Sequence, residues 1–437
     1  MSEQALVTIL LFGSMFLVLG IGVPIAIALG GLSVVFIHFF WSDRALNLLP
    51  VRSFAVASSF EYLAIPLFVL MAAVLQRSKI AEDMYDTMRV LFGNLRGGLA
   101  VGTIVICTIF AAMAGISGAA TIAMGVIAIP AMLGHGYHKG LAVGSVAAGG
   151  SLGILIPPSV TMIVYGLVTG TSIGQLYAGG VGPGLLIAAL FCAYVLFVGW
   201  RNPAKVGGIV THPEGERPSK IKALRGIVLP FVLIATVLGS ILGGFASISE
   251  SAAVGALGAM ILAAVRRQLT PRLIHAALLE TLLLSCMIFW IIIGASALAN
   301  FYTATGAARI IEAAVLGLDA NPWVVLVSIQ VVLLLMGMVL DSTGIILITA
   351  PIFLPIVTAL GFDPVWFGVL YIINMEMGFL SPPFGYNLFY IRAVAPPSVG
   401  MVDIYKSVLP FLGLMIVALA ICMAFPQVIT FLPGLMF

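Results

Sequence analysis

A chain of 437 residues that is 62% hydrophobic and only 8% charged has too little polar surface to cover a water-soluble fold, so a lipid bilayer must be its main solvent. The net charge of +3 is too diffuse to recognise nucleic acid. Apolar runs near the roughly 20 residues that a membrane helix needs recur from end to end, which excludes an outer-membrane barrel built of ~10-residue alternating strands. Four cysteines, Cys107, Cys192, Cys286 and Cys422, lie in apolar runs without CxxC spacing and read as small buried hydrophobes, arguing for neither disulfide nor metal.

The N-terminal stretch "MSEQALVTILLF" carries an acid, no Lys or Arg and no small-residue cleavage site, which predicts a retained helix instead of a signal peptide. Helices are predicted over 5–20, 22–40 and 48–76, followed by the amphipathic "IAEDMYDTMRVLFGNL", which suits an interfacial arm. Segment 98–134 is interrupted at "AGISGAAT", and each part is too short to span alone, so a re-entrant hairpin is expected. Segment 141–168, interrupted at "GGSLGILIPPS", fits one discontinuous crossing, and a helix over 175–199 closes the first half. After the polar linker "RNPAKVGGIVTHPEGERPSKIKALR" the order returns, with helices over 226–243, 251–265 and 273–301 and the amphipathic "TGAARIIEAAVLG". A second hairpin over 322–359 breaks at "LDSTGI", a second discontinuous crossing over 365–393 breaks at "GFLSPPFG", and a helix over 402–425 ends the series.

Displacing the sequence by 225 positions without a gap superposes Ser117 on Ser342, Pro130 on Pro355, Gly136 on Gly361, Gly153 on Gly378, Pro157 and Pro158 on Pro382 and Pro383, and Tyr165 on Tyr390. Registered helix breakers of this kind indicate an internal duplication. Five crossings and one hairpin per half make an odd count, which turns the second copy upside down. Sixteen of the nineteen Lys and Arg residues then fall on the linker's side, leaving Arg44, Arg52 and Arg309 opposite. By the positive-inside rule the linker is cytoplasmic, both termini face outward, and the hairpin tips approach each other from opposite sides. The expected fold is an all-α polytopic membrane protein of two inverted repeats, each of about five transmembrane helices plus one re-entrant hairpin.

Irregular backbone in hydrocarbon costs several kcal/mol per unpaired group and persists only when buried in protein or lining a polar cavity. Carbonyls released over Gly149 to Leu155, with the hydroxyls of Ser117 and Thr121, make a hard-oxygen set suited to a small cation such as Na⁺. The mirror set lies near Gly378 and Ser381, with Ser342 and Thr343. The candidate cation positions are Ser117, Gly118, Thr121, Gly149, Gly150, Gly153 and Pro157 in the first half, and Ser342, Thr343, Gly344, Gly378, Ser381 and Pro382 in the second. Helix N-termini aimed at the same space favour an anionic solute. Its candidate contacts are Ser151, Pro158, Ser159, Asp341, Glu376, Pro383, Gly385 and Asn387. A lone charge at bilayer depth makes function the default reading for Asp341 and Glu376, with fixing of the breaks by hydrogen bonds from loop N–H groups as the alternative. Proline kinks and glycine packing alone would explain one break, but four in duplicated order speak against that reading. Arg52 and Glu250 suit an anchor or partner contact near the outer interface. No nucleophile with a base, HExxH, GxGD or Gly-Lys-Ser/Thr phosphate loop is visible, so the chain reads as neither enzyme nor ATPase.

The stretches "GISGAATIAMGVIAIPAMLGHGY", "AAGGSLGILIPPSVTMIVYG", "TSIGQLYAGGVGPGLL", "MVLDSTGIILITAPIFLPIVTALGFDPVWFGVL" and "NMEMGFLSPPFGYNLF", together with "SFEYLAIPLFVL", resemble the large membrane subunit of tripartite ATP-independent periplasmic (TRAP) transporters over essentially the whole chain. The order of hairpins and broken helices is also similar to the wider ion transporter superfamily, which includes sodium-dicarboxylate carriers. The resemblance implies an elevator-type secondary transporter in the bacterial inner membrane, coupled to two or more Na⁺ ions and without an organic cofactor. It further implies a separate small four-helix membrane subunit and a soluble periplasmic binding protein that delivers an organic anion. Carried onto this sequence, the family's cation and solute sites fall at Ser117 to Thr121, Gly149 to Ser159, Asp341 to Gly344 and Gly378 to Asn387. Ser381 stands where the family more often has Thr, and it keeps the hydroxyl. The implied division places scaffold and arm at 1–97, one transport-domain half at 98–170, closing helix and linker at 171–225, second scaffold and arm at 226–320, the other transport-domain half at 321–395, and closing helix and tail at 396–437. A stand-alone sodium/carboxylate carrier or ion antiporter is the alternative within the superfamily. An intramembrane enzyme is disfavoured by the missing nucleophile, and an open channel by the four breaks. Sialic acid, dicarboxylates, sugar acids and aromatic acids all remain open as solutes.

Overall fold

The computed structural model describes residues 3–78, 80–208, 220–317 and 320–437; the middle of the predicted linker, with Arg217, and Lys79 beside the arm lie outside these residues. The first half runs α1 (Glu3–Gly20), α2 (Ile25–Phe40), α3 (Leu48–Ser58), α4 (Ala64–Arg77), α5 (Ile80–Phe92), α6 (Gly98–Ala114), α7 (Ser117–Gly134), α8 (Lys139–Ser151), α9 (Val160–Thr169) and α10 (Ile173–Arg201). The second runs α11 (Lys220–Leu242), α12 (Ile248–Val265), α13 (Pro271–Ala304), α14 (Ala307–Leu316), α15 (Pro322–Gly337), α16 (Ser342–Ala359), α17 (Pro364–Leu380), α18 (Tyr386–Val394), α19 (Met401–Ala424) and α20 (Gln427–Met436). Apolar sequence in lipid must satisfy its backbone internally, and helices do so within one segment. Seven helices among the described residues are long and apolar enough to cross a membrane. They include α7 and α16, second arms of the expected hairpins, so length alone does not separate such an arm from a span.

All four breaks fall where local chemistry predicts them. Gly115, with φ of +63°, ends α6 in a left-handed conformation that a side chain resists, and extended Ile116 leads into α7. Pro157 and Pro158 have no N–H with which to continue α8, and the Ser159 hydroxyl restarts the helix by accepting from the Met162 N–H at 3.2 Å. In the second half the Asp341 carboxylate accepts from the Thr343 N–H at 2.9 Å to start α16, and Pro382–Pro383 separates α17 from α18.

Three readings of the sequence are corrected. The helix expected over 48–76 is two helices, because Ser59 is extended and a turn over Phe60–Leu63 intervenes. The Ser59 hydroxyl donates to the Glu61 carboxylate at 2.5 Å, a local bond that competes with helix continuation. The corresponding α13 is one continuous helix of 34 residues. The expected tail after 425 contains α20, which starts past Pro426 and packs on α10 where Gly179 and Gly182 leave room for Ile429 and Val428. Cys286 is exposed on the outer face of α13, unlike buried Cys107 and Cys422.

The arm α5 lays Ile80, Met84, Tyr85 and Met88 toward the body and packs on α6 and α11, and an Asp83–Arg266 ion pair ties it to the end of α12. Arg77 bridges α4 to Glu280 of α13 at 2.7 Å. Outer faces of α11 and α13 carry exposed Phe231, Leu283 and Trp290, as a surface solvated by lipid requires. Beyond α10, Val206 pairs with Tyr137 in an isolated bridge, the Lys205 carbonyl accepts from the His138 N–H at 3.0 Å, and the Gly208 N–H donates to the His135 carbonyl at 3.3 Å.

A candidate solute and cation site between the hairpin tips

Glycine lets each tip rest directly on a broken helix. A Cβ on Gly150 would lie 2.0 Å from Thr121 Oγ1, and one on Gly153 would lie 2.9 Å from the Ile116 carbonyl and 3.0 Å from Ser117 Cα. At the other tip, a Cβ on Gly378 would lie 2.7 Å from Gly337 Cα. The first tip is also hydrogen-bonded in place: the Val160 N–H donates to the Gly115 carbonyl at 3.2 Å. From that tip the chain reaches across to the second half. Ser117 Oγ donates to Asn387 Oδ1 at 3.1 Å, and Asn387 Nδ2 donates to the Ala147 carbonyl at 3.3 Å, with all three residues buried.

Both tips open on one cavity of about 860 Å³. Ser117 and Gly118 line it from the first tip, and Asp341, Ser342 and Thr343 from the second. Thr161, Phe379, Tyr386 and Tyr390 complete that wall, while the α1–α2 turn and the Leu284 to Ile291 face of α13 form the opposite one. The starts of four helices, α7, α9, α16 and α18, therefore border a single space. Helix N-termini present N–H groups without intrahelical acceptors and the positive end of the helix dipole, which together favour an anion. Among the described lining residues there is no Lys or Arg, and Asp341 is the one carboxylate. Hydroxyl, carbonyl and carboxylate oxygens are the donors that a hard cation prefers, so the set contributed by Ser117, Ser342, Thr343 and Asp341 fits Na⁺. Among the described residues no three of His, Cys, Asp or Glu come together.

The other predicted site residues sit behind this surface. Thr121 donates to the Ser117 carbonyl at 3.0 Å, and with Gly149, Gly150 and Gly153 it is buried between tip and broken helix. Gly344 faces Ile25, and Gly378 is covered by Gly337. Pro157 and Pro158 are buried; the Ser159 hydroxyl donates to the Ile154 carbonyl at 2.5 Å. Ser381 donates to the Met377 carbonyl at 2.8 Å, and the Pro383 carbonyl accepts from the Tyr405 hydroxyl at 2.9 Å. Pro382 is half-buried, and Gly385 lies so close to the Phe379 carbonyl that a Cβ would approach to 2.5 Å. Ser151 and Glu376 form a separate pair, Oγ to Oε1 at 3.0 Å, in which both side chains are wholly buried and Oε2 has no partner. Neither lines the cavity.

Tyr386 and Tyr390 are wall residues absent from the individual candidates, although Tyr386 lies within the stretch Gly378 to Asn387. Their spacing of four puts them on one face of α18, which is the signal that could have found them. Tyr165, the counterpart of Tyr390 by sequence displacement, is instead buried against Tyr371 with ring centroids 5.3 Å apart.

The sequence pattern described as "Tripartite ATP-independent periplasmic transporter, DctM component" matches residues 12–428. The chain is 33% identical to the C4-dicarboxylate TRAP transporter large permease protein DctM of Vibrio cholerae, over 99% of this chain and 98% of that protein. It is 31% identical to the ectoine TRAP transporter large permease protein TeaC of Halomonas elongata, over 98% of this chain and all of that protein. Its fold is similar to the YdaH transporter of Alcanivorax borkumensis, with a TM-score of 0.68 over 93% of this chain and 98% of that one, at 14% identity.

Proposed function

The chain belongs to the DctM family of tripartite ATP-independent periplasmic transporters, and on that premise we propose that it is the large subunit of a Na⁺-coupled importer of small organic anions. It is a multi-pass protein of the bacterial inner membrane and not an enzyme. The observation that carries the proposal is the cavity bordered by four helix N-termini and both hairpin tips. Oriented N–H groups neutralise the solute's carboxylate, and the oxygens of Ser117, Ser342, Thr343 and Asp341 hold Na⁺ beside it, so ion and solute favour each other's binding.

An elevator motion is supported by the contrast between the walls. The tips contribute polar groups, whereas the α1–α2 turn and α13 contribute Leu19, Val23, Ile25, Leu284, Met287 and Ile288, which make no hydrogen bonds across the cavity to resist sliding. The inverted arrangement and the outward-facing termini rest on the displaced-sequence register and the sidedness of Lys and Arg. A small four-helix subunit and a periplasmic binding protein complete the importer. Relatives named for a dicarboxylate and for ectoine lie at 33% and 31% identity, so the binding protein is taken as the main source of solute choice.

Uptake by proteoliposomes containing both membrane subunits tests the reading. An inward Na⁺ gradient with loaded binding protein gives accumulation, and Ser117→Ala or Ser342→Ala weakens its Na⁺ dependence. Equal uptake with choline in place of Na⁺ overturns the coupling. Uptake without the binding protein moves the chain to the stand-alone carriers.

A further inference from the structure

A second, smaller cavity of about 270 Å³, sharing no lining residue with the first, lies where the end of α10 meets the starts of α8 and α19. Four basic side chains line it: His138 before α8, Arg201 at the end of α10, Lys205 in the turn that follows, and Lys406 on α19. None of the four makes an ion pair among the described residues, and no described lining residue is acidic. The nearest acid along α19, Asp403, is turned to Lys139 at 4.0 Å and to the Gly400 N–H at 3.1 Å. His138 Nδ1 accepts from the Gly140 N–H at 3.1 Å, which leaves the proton of the neutral ring on Nε2 as a donor. Like charges gathered in one concavity repel unless an anion joins them.

The rim identifies the anion's carrier. Phe197 of α10 lines the pocket and is 53% exposed, with the ring of Trp200, 77% exposed, 6.3 Å from its own; on α19 Val402 and Leu409, one helical turn to either side of Lys406, stand exposed. The basic pocket is thus edged by apolar side chains at the end of two long apolar helices, one of them bearing the exposed tryptophan that marks a membrane–water interface. A free phosphate would use the bases and leave this rim idle. A phospholipid uses both, with its phosphate among the bases and its acyl chains along α10 and α19. Basic pockets between transmembrane helices on the positively charged side suit anionic headgroups.

We propose that the pocket formed by His138, Arg201, Lys205 and Lys406 binds the phosphodiester headgroup of an anionic phospholipid, which joins α8, α10 and α19 at the root of the linker. The site stands apart from the transport cavity and does not depend on how that cavity works.

Native mass spectrometry of the purified membrane complex, delipidated and then titrated with phosphatidylglycerol or phosphatidylcholine, tests the proposal. Phosphatidylglycerol binds saturably and phosphatidylcholine does not. Each base removed weakens retention about fivefold, so Lys205→Gln with Lys406→Gln weakens it about twenty-five-fold, whereas Lys139→Gln, outside the pocket, leaves it unchanged. Equal retention of the two lipids overturns the proposal, as does full retention by the double variant. So does competition by inorganic phosphate at the lipid's own concentration, which would mark a free-anion site. Should the double variant not fold, the comparison of lipids on the unaltered complex and the single Lys406→Gln variant decide the matter.

Discussion

The two diproline breaks share a sequence pattern and differ in their surroundings. Around the first, every residue from Ser151 to Val160 is buried. The Ser159 hydroxyl and carbonyl are both bonded, the latter to Tyr177 at 3.2 Å, and Ile156 fills the space left by Gly184. Around the second, Pro383 and Phe384 are exposed, Phe384 at 56%, and the Tyr405 hydroxyl is the bond that reaches in from α19. The halves also differ at the position six residues before each diproline. Ser151 and Glu376 occupy the same displaced position, and they touch each other. The recurring diproline pattern therefore keeps the rupture of the helix without keeping what stabilises it: protein interior around the first, a partly open edge around the second.

Truncating the same kind of apolar side chain in each loop tests this contrast most strongly. Ile156→Ala should lower stability by about 2–5 kcal/mol, as large-to-small changes in a closed core do, read as denaturant or thermal unfolding in detergent. A loss no larger than that of an exposed site would show the first break to be as open as the second. The link between the halves gives an intermediate effect. A double-mutant cycle on Ser117→Ala and Asn387→Ala should return a coupling of about 1 kcal/mol, and additivity would mean that the first tip is held without Asn387. The smallest effect belongs to Phe384→Ala, within about 0.5 kcal/mol of the unaltered chain; a larger loss would mean that this side chain is covered in the assembled membrane complex.

Gly115, Pro157, Pro158, Ser159, Asp341, Pro382 and Pro383 made the breaks legible, because each acts on the backbone within a turn of itself. The same locality explains what was missed. Ser59 and Glu61 looked like polar residues within an apolar run, yet their mutual bond splits the helix. Pro426 and Pro433 disguised α20 as tail. The cavity's second wall comes from α1, α2 and α13, which no local pattern assigns to the tips, since packing alone brings them there. Of the candidate hydroxyls, those of Ser117, Ser342 and Thr343 line the cavity, whereas the cation candidate Ser381 and the solute candidate Ser159 lie behind it, donating to nearby carbonyls. Sequence chemistry identified groups able to serve a ligand; only the packed chain separated those that face the cavity from those that hold it open.

The stitching of residues 205–208 to the 135–138 turn has a mechanical meaning. The cord between the halves does not leave α10 freely; its first few residues are sewn to the foot of the α6–α7 hairpin. Whatever displacement that hairpin undergoes, residues 205–208 are carried along with it, fastened through His138 and His135.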